Sequence, residues 1–224
     1  MKIIAVIPAR SGSKSVKNKN IYEYKDEPLI YHSIKLAKRS KLINRVFVST
    51  DSKKYQKLSI DLGAEAPFLR PKKISNDSST DLEWAKHIVG YLKKVENYSP
   101  DLIVHIRPTS PNRELTIFNK GINFFLKNLK NFNAMRSVNL MSQPPQKMFM
   151  MKKNLLVGYF DNSLKGEYYN LPRQVYDKCY IPNGYIDIIK PSFFIKRSSL
   201  MGRKILGYLT PSTLDIDTKE DFKN

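Results

Sequence analysis

The pattern that most constrains the fold is an alternation of short apolar segments with amphipathic segments over residues 1–126. Three segments have the apolar character and the length of buried parallel strands: residues 3–7, 45–50 and 102–106. Four segments carry apolar residues at helical spacing: residues 28–39, 52–62, 81–95 and 115–126. Alternating strands and helices predict an α/β fold of three layers, with a mainly parallel sheet and helices on both of its faces.

A polar segment follows each of the three predicted strands. These segments span residues 8–20, 49–52 and 107–113. In an open α/β sheet, ligands bind beyond the carboxyl ends of the parallel strands, and those ends share one edge. The sequence therefore predicts that the three segments converge on a ligand site at that edge.

The alternation stops after about residue 134. Two prolines interrupt residues 143–146, residues 148–159 predict a hairpin that turns near Asn154, and residues 161–178 are polar and rich in tyrosine. We expect a single domain over residues 1–224, in which roughly residues 140–180 form an inserted arm, a common place for a subunit contact. A disordered excursion is the alternative for this arm. Residues 183–189 regain the character of a strand.

The composition narrows the class of protein. A chain of 224 residues that is 41% hydrophobic can build a sizeable core within one domain. Its apolar runs are far too short to cross a membrane, and its N-terminal segment lacks the layout of a signal peptide. The single cysteine, Cys179, excludes an internal disulfide, and three histidines with one cysteine disfavour a structural zinc site. We therefore expect a cytoplasmic protein without a membrane partner.

The charge suggests a polyanionic partner or simply a lysine-rich surface. The net charge is +19 and the isoelectric point is about 9.8. The cations are 29 lysines and 10 arginines, scattered without a basic tail. Direct recognition of DNA bases relies on bidentate hydrogen bonds from arginine. The excess of lysine over arginine therefore favours a lysine-rich, solvated surface and disfavours nucleic acid as a partner.

The first polar segment is the densest cluster of cations and small residues. It reads VIPARSGSKSVKNKN and places Arg10, Lys14, Lys17 and Lys19 around Gly12. Small residues let backbone N–H groups approach an anion, and the lysines would neutralise it. The segment lacks the ending of a P-loop and two of the three glycines of the dinucleotide fingerprint. A phosphate-binding loop and a solvated basic loop both remain open.

Three further segments could carry chemistry. Asp215 and Asp217 are two residues apart, so on an extended segment both would project to one side and could hold one Mg²⁺ against a triphosphate; a chance surface pair is the alternative. Thr109 and Ser110 offer hydroxyls in a proline-stiffened exit from a strand, or belong to an ordinary capped loop. Residues 74–81 could cap a helix or read the edge of a base.

A covalent mechanism is disfavoured. The three histidines, His32, His87 and His105, lie in helix or strand patterns, where packing or surface exposure accounts for them. Cys179 has no activating motif beside it, and no nucleophilic triad is evident.

In this order along the chain, the segments resemble the CMP-sialic acid synthetase (acylneuraminate cytidylyltransferase) family, which activates acidic nine-carbon sugars. The matching segments are residues 9–14, 19–20, 48–51, 69–71, 76–78, 108–113, 172–174, 183–184, 215–218 and 221–222. The match is weakest over residues 140–170. A related branch that acts on an eight-carbon sugar acid uses a different opening loop, so the neuraminate-like branch resembles this chain more.

The resemblance implies a nucleotide-diphospho-sugar transferase-like fold, Mg²⁺ as cofactor, and a homodimer whose inserted arm reaches over the partner's site. It also implies a reaction of CTP with a 2-keto sugar acid that gives a CMP-sugar and pyrophosphate. The catalytic positions would be Arg10, Lys14 and Lys19. The nucleotide-binding positions would be Ala9, Arg10, Ser11, Gly12, Ser13, Lys14, Asn20, Arg70, Asp77 and Ser78. The sugar-binding positions would be Arg107, Thr109, Ser110, Lys147 and Arg173, the last two possibly from the partner, and Asp215 and Asp217 would bind the metal.

The chain departs from the family pattern at one position of the first loop, which bears on how that loop is held, and at one position on the sugar side, which leaves the sugar open. Ser15 stands where the family usually has glycine, and Arg107 stands where it commonly has glutamine. The sugar could be of the sialic, legionaminic or pseudaminic type. The alternatives are a nucleotidyltransferase of the same fold that uses another nucleotide or a neutral sugar phosphate, and a basic nucleic-acid-binding protein that has lost catalysis.

Overall fold

A computed structural model describes residues 1–160 and 166–223 of the chain. Within these residues the chain forms ten strands and five α-helices. The strands are β1 (Ile3–Pro8), β2 (Glu23–Tyr24), β3 (Glu27–Pro28), β4 (Arg45–Ser49), β5 (Leu102–His105), β6 (Ala134–Leu140), β7 (Phe149–Lys152), β8 (Leu155–Gly158), β9 (Tyr180–Ile189) and β10 (Ile205–Leu209). The helices are α1 (Leu29–Arg39), α2 (Lys53–Asp61), α3 (Asp81–Glu96), α4 (Leu115–Lys127) and α5 (Pro191–Phe194).

Six strands form the central sheet in the order β10-β6-β9-β5-β1-β4. The pairs β10–β6, β5–β1 and β1–β4 are parallel, whereas β9 runs antiparallel to both β5 and β6. The mainly parallel α/β sheet is thus confirmed, with one reversed strand that the sequence pattern did not predict. The two hairpins β2–β3 and β7–β8 form separate two-stranded sheets.

Helices cover both faces of the sheet, because successive side chains of the strands point to opposite sides. In β1, Ile3, Ala5 and Ile7 pack on the face covered by α1, α2 and α4. Ile4 and Val6 pack on the other face, against α3 and α5. The three-layer arrangement is therefore confirmed, and its two hydrophobic cores hold the carboxyl ends of β1, β4 and β5 in fixed positions.

The bounds of the predicted helices lie within one or two residues of the observed ones, and two of these helices begin at caps that the sequence supplies. Thr80 and Glu83 form a capping box at the start of α3, and the Ser52 side chain accepts a hydrogen bond from Tyr55 N at the start of α2. The sequence did not predict β6, β10 or α5. The strand expected over residues 183–189 begins earlier, at Tyr180.

A bulge interrupts the pairing of β6 with β9. Arg136 faces Asp187, but two residues further along β6, Val138 faces Pro182, so β9 carries extra residues at this point. Gly184 lies inside the bulge with a φ of +70°. The bulge turns residues 183–184 towards the carboxyl edge of the sheet, beside Ser110.

The predicted arm leaves the sheet at the far ends of β6 and β9, where Leu140 pairs with Tyr180. Its hairpin, β7–β8, turns at Lys153 and Asn154, as the sequence predicted. Residues 161–165 of the predicted polar segment lie outside the described residues. Across the described part of the chain, every helix is too short or too polar to cross a bilayer.

Candidate functional site

The loop after β1 is tied to the end of β4. Ala9 N donates a hydrogen bond to Ser49 O at 2.9 Å. Ser11 donates two hydrogen bonds to the Asp51 carboxylate, from its backbone N and from its Oγ, both at 2.9 Å. The polar segments after β1 and β4 therefore meet at one edge of the sheet, as the strand pattern predicted.

The same loop turns back over its own start. Asn20 is buried and its Nδ2 donates to Arg10 O at 3.0 Å. Lys19 lies beside it in a 3₁₀ turn, with a left-handed Asn18 before the turn. A Cβ at Gly12 would meet only Arg10 Nη1, at 3.8 Å, so side-chain packing does not require glycine there. The turn is what brings Lys19 and Arg10 to the same cleft.

This first cleft has a volume of about 270 Å³ and lies between the β1 loop, residues 70–81 and the end of β5. Its hydroxyl-bearing lining residues include Ser13, Ser79, Thr80 and Thr109. Its lining cations are Arg10, Lys19, Arg70 and Arg107. A small polar cleft with four cations suits an anionic ligand such as a phosphate chain.

Carboxylates hold three of the cations of the β1 loop. Arg10 Nη1 and Lys14 Nζ lie 2.7 and 2.5 Å from the two oxygens of Asp77, and these pairs hold the pKa of Asp77 below its usual value. Lys19 Nζ lies 2.7 Å from Asp217 Oδ1, and its side chain is only 11% exposed. An anionic ligand that binds these cations therefore competes with their carboxylate partners.

Residues 76–80 form one wall of the first cleft. Asn76, Ser79 and Thr80 line it, whereas the Ser78 N and Oγ both donate to Asn76 Oδ1. Ser78 is exposed and, like Asp77, is not among the lining residues. The segment therefore agrees with both predictions made for it. Thr80 caps α3, and Asn76 and Ser79 line the cleft, where a ligand could contact them.

Two buried side chains at the first cleft keep polar atoms without a hydrogen-bond partner among the described residues. They are Arg70, at its Nε, and His105, at both ring nitrogens. Burial lowers the pKa of Arg70, and it lowers the pKa of His105 to about 4, with Arg107 adding to the effect on His105. His105 is therefore neutral at pH 7. A buried donor without a partner is costly, so Arg70 is suited to a ligand oxygen.

A second cleft of about 410 Å³ adjoins the first, and Arg107 lines both. Thr109 faces the first cleft and Ser110 faces the second. The bulge of β9 supplies Asn183 and Gly184 to the second cleft, where a Cβ on Gly184 would lie 2.8 Å from Ser110 Oγ. This close approach explains why the position is occupied by glycine, since any larger residue would contact Ser110.

A buried carboxylate fixes two arginines beside the second cleft. Asp187 is 1% exposed; its Oδ2 accepts from Arg107 Nη1 at 2.8 Å and from Arg136 Nη2 at 3.1 Å. Arg107 Nη2 also donates to Asp81 Oδ2 at 3.3 Å. No sequence motif identified Arg136 or Asp187. An aspartate inside the apolar run YIDII was the available signal, since a charge in a buried strand needs a partner.

The two aspartates near the C-terminus lie at the junction of the clefts. Ile216 between them is buried and donates its N–H to Thr109 O at 2.8 Å. Asp215 lines the second cleft, whereas Asp217 meets Lys19 of the first. No group of three or more His, Cys, Asp or Glu suited to a metal occurs within the described ranges. Two carboxylates still fit Mg²⁺, which commonly takes one or two carboxylates plus substrate phosphates and water.

Lys147 and Arg173 line neither of the two clefts. Lys147 ends a 3₁₀ turn at the base of the arm. Arg173 lies beside Met141, at a separate cavity of about 460 Å³ on the arm. A single chain therefore does not bring these two predicted sugar ligands to the other site residues.

The cytidylyltransferase family model matches residues 4–171 of the chain. The chain belongs to the cytidylyltransferase family. Among curated relatives, the N-acylneuraminate cytidylyltransferase of Escherichia coli O18:K1:H7 is 32% identical over 99% of this chain, and the pseudaminic acid cytidylyltransferase of Campylobacter jejuni serotype O:23/36 is 26% identical over 100%. The chain spans about half the length of the first relative (51%) and 94% of the second.

Solved cytidylyltransferases share the fold. A CMP:2-keto-3-deoxy-manno-octonic acid synthetase in complex with CTP matches with a TM-score of 0.72 at 14% identity, over 100% of this chain and 96% of that one. A cytidylyltransferase from Leptospira borgpetersenii matches with a TM-score of 0.60 at 19% identity, over 99% and 84%. At these identities the likeness concerns the fold, and it agrees with the predicted nucleotidyltransferase architecture.

Proposed function

We propose that this chain is a Mg²⁺-dependent cytidylyltransferase that joins CTP to a nonulosonic acid of the sialic, legionaminic or pseudaminic type. The observation that carries the proposal is the pair of adjoining clefts, with cations in the first and Asp215 and Asp217 at their junction. The names of the relatives support the acidic sugar, since they specify N-acylneuraminate and pseudaminic acid.

In the proposed reaction the anomeric oxygen of the sugar attacks the α-phosphorus of CTP in line. A new phosphorus–oxygen bond forms, the bond to the bridging oxygen of the β-phosphate breaks, and pyrophosphate leaves. The proton of the anomeric hydroxyl passes to solvent. Arg10, Lys14 and Lys19 would bind the triphosphate and stabilise the charge that grows on it in the transition state. Asn20 and Arg70 would hold the nucleotide in the first cleft.

Asp215 and Asp217 would hold the metal with the phosphates of CTP. A bound Mg²⁺ would supply charge neutralisation and would align the triphosphate. For this to occur, Lys19 has to exchange Asp217 for a phosphate oxygen. The exposed Asp217 carboxylate, 67% accessible, is free to make that exchange.

We further propose a homodimer in which the arm carries Lys147 and Arg173 to the partner's sugar. The arm presents apolar side chains to solvent in the single chain, as a subunit contact requires. Examples are Met151 at 72% and Leu155 at 65% exposure. Because CTP is made inside the cell, the proposed reaction belongs in the cytoplasm.

The experiment is a measurement of pyrophosphate release with CTP, Mg²⁺ and a panel of nonulosonic acids. Parallel reactions replace CTP with ATP, GTP or UTP, replace the sugar with neutral sugar phosphates, or add EDTA. We expect release only with CTP, an acidic sugar and Mg²⁺. No release with CTP and any nonulosonic acid would refute the proposal, and release with a neutral sugar phosphate would support the alternative substrate.

Asp217→Asn gives the first prediction. The neutral amide is a much weaker ligand for Mg²⁺ than the carboxylate, so turnover should be abolished while the fold stays intact, because the side chain is exposed. Pyrophosphate release measures the activity, and circular dichroism with thermal melting checks the fold. Wild-type activity in the variant would remove Asp217 from the metal site.

A further inference from the structure

We propose that Arg136 and Arg107, both held on the buried Asp187, form a seat within one chain for the carboxylate of the sugar acid. The proposal rests on the proposed function and names the residues that would recognise its acidic substrate. It adds Arg136 and Asp187, which no sequence motif identified, and it assigns to Arg107 a defined chemical partner.

The chemistry of the substrate fixes where its carboxylate must lie. In a 2-keto sugar acid, the hydroxyl that attacks and the carboxylate are bonded to the same carbon. The attack takes place where the two clefts meet, because CTP would occupy the first and the sugar the second. The carboxylate must therefore lie near that junction. Arg107 is the side chain that lines both clefts.

The two cations that line the second cleft are both held on Asp187. Within the described chain, Arg107 and Arg136 are the two cationic side chains that line it, and Asp215 lines it as well. Asp187 and Asp81 together balance the charges of the two guanidinium groups, so the cluster offers a carboxylate its N–H donors rather than an excess of positive charge. The negative Asp215 would repel a carboxylate, so the anionic end of the sugar is drawn to the arginines.

The seat is fixed before the substrate arrives. Asp187 holds Arg107 at 2.8 Å and Arg136 at 3.1 and 3.3 Å, and Asp81 holds the other end of the Arg107 guanidinium at 3.3 Å. Arg107 and Arg136 remain 32% and 31% exposed. In the described structure, Arg107 Nε and Arg136 Nη1 donate to no protein acceptor. Held guanidinium groups with free N–H donors are suited to a carboxylate.

The arm cannot take this role within a single chain. Lys147 and Arg173 line neither cleft and would reach the sugar only from the partner subunit. The arginine seat, by contrast, lies beside the junction in the same chain as Lys19 and Asp217. It therefore predicts that recognition of the carboxylate depends on the chain that binds the nucleotide.

The test compares an acid with its neutral analogue. Wild type, Arg136→Gln and Arg136→Lys are assayed with CTP and the preferred nonulosonic acid, and then with the C1 carboxamide of that sugar. Arg197→Gln is the matched control, because Arg197 is an exposed arginine that lies over Phe193, away from both clefts. The KM for CTP, measured for each variant, shows whether the nucleotide side has folded.

We expect wild type and Arg197→Gln to prefer the acid over the carboxamide by at least about tenfold in kcat/KM, the value of one charge-assisted hydrogen bond. Arg136→Gln should lose most of this preference through a higher KM for the acid, with the KM for CTP changed less than about twofold. Arg136→Lys should show an intermediate preference for the acid, since lysine keeps the positive charge but lacks the forked N–H donors of the guanidinium group.

An unchanged preference in Arg136→Gln would overturn the seat while leaving the proposed function in place. A KM for CTP that rises as much as that for the acid would also overturn it. If Arg136→Gln does not fold, the preference of Arg136→Lys for the acid over the carboxamide is compared with that of wild type instead, and an unchanged preference would overturn the seat. No turnover of any nonulosonic acid by wild type would overturn the proposed function, and the seat with it.

Discussion

At the scale of the residue, Asp77 forms ion pairs that the sequence did not predict. The family resemblance implies that it lies near cytidine, yet its carboxylate contacts Arg10 and Lys14. A carboxylate on these cations competes with a triphosphate for them. Asp77 therefore ties the β1 loop to residues 75–81 until an anion replaces it.

Asp77→Asn tests this competition by the sign of its effect. Removing the charge frees both cations, so we expect the KM for CTP to fall about two- to fivefold, a small change because exposed ion pairs contribute little. Steady-state kinetics at low ionic strength measures the KM. Asp61→Asn, an exposed aspartate at the end of α2, is the control and should leave the KM unchanged. A KM more than tenfold higher in Asp77→Asn would mean that Asp77 contacts the nucleotide.

His105 predicts a dependence of stability on pH. Its folded pKa is about 4 because it is buried, whereas an unfolded histidine titrates near pH 6.5. Below pH 6.5 the unfolded chain therefore binds a proton at this histidine, whereas the folded chain leaves it neutral. The contribution of neutral His105 to the free energy of unfolding is present at pH 7 and is lost as the pH falls towards 4. Between pH 7 and pH 5 the loss from this residue is about 2 kcal/mol.

His105→Gln should remove this contribution. Urea unfolding at pH 7 and at pH 5 gives the free energy of unfolding at each pH for both proteins. We expect the drop between the two pH values to be smaller in the variant by roughly 2 kcal/mol. His87, whose pKa burial also lowers, is present in both proteins and its contribution cancels. Equal drops in the two proteins would show that burial does not lower the pKa of His105 in the folded chain.

At the scale of the element, the sequence predicted what local patterns determine. The strands β1, β4 and β5 are mainly apolar runs, each predicted helix has an apolar stripe, and α2 and α3 also begin at caps that the sequence supplies. The orientation of β9 was not predictable, because a strand has the same pattern in both directions. The strand β6 was missed because its last residues, from Val138 to Leu140, are only partly buried or exposed.

The bulge in β9 gives a prediction at the same scale. Gly184→Ala places a side chain at a φ of +70° and puts its Cβ 2.8 Å from Ser110 Oγ. We expect the free energy of unfolding to fall by about 1–3 kcal/mol, together with a higher KM for the sugar. Urea unfolding and steady-state kinetics measure the two effects. Gly207→Ala in β10 is the matched control, since a Cβ there meets open space. Equal stability of the two variants would refute the strain at Gly184.

At the scale of the whole molecule, the prediction concerns subunits that share a site. Lys19→Ala disables the nucleotide side of a chain, and Arg173→Gln disables its arm. If the arm acts on the partner, each mixed dimer keeps one intact site, so an equal mixture refolded together should regain about a quarter of the wild-type rate. Pyrophosphate release measures the rate, and light scattering measures the mass.

Two results would contradict shared sites. The first is a mixture no more active than the average of the two variants, with dimers shown by light scattering. The second is a monomer at all concentrations tested. As a control for the exchange of subunits, each variant is also refolded with wild type and the rate of pyrophosphate release is measured.

The candidate site divides into a part that the sequence predicted and a part that only the folded chain assembles. The first cleft follows three strands whose loops the pattern placed at one edge. The second cleft gathers residues 107, 136, 183–184 and 212–215 from segments far apart in the sequence. The antiparallel β9 and its bulge bring these segments together, and no local pattern encodes that.

The junction of β6 with β9 also bears on how such a molecule diversifies. Residues 141–179 leave the sheet at Leu140 and return at Tyr180, and these two residues pair with each other. An insertion that starts and finishes at one point can change its length or be grafted from a relative without shifting the strands that carry the cations. Such a segment can therefore be exchanged as a module while the two clefts beside the sheet keep their lining residues.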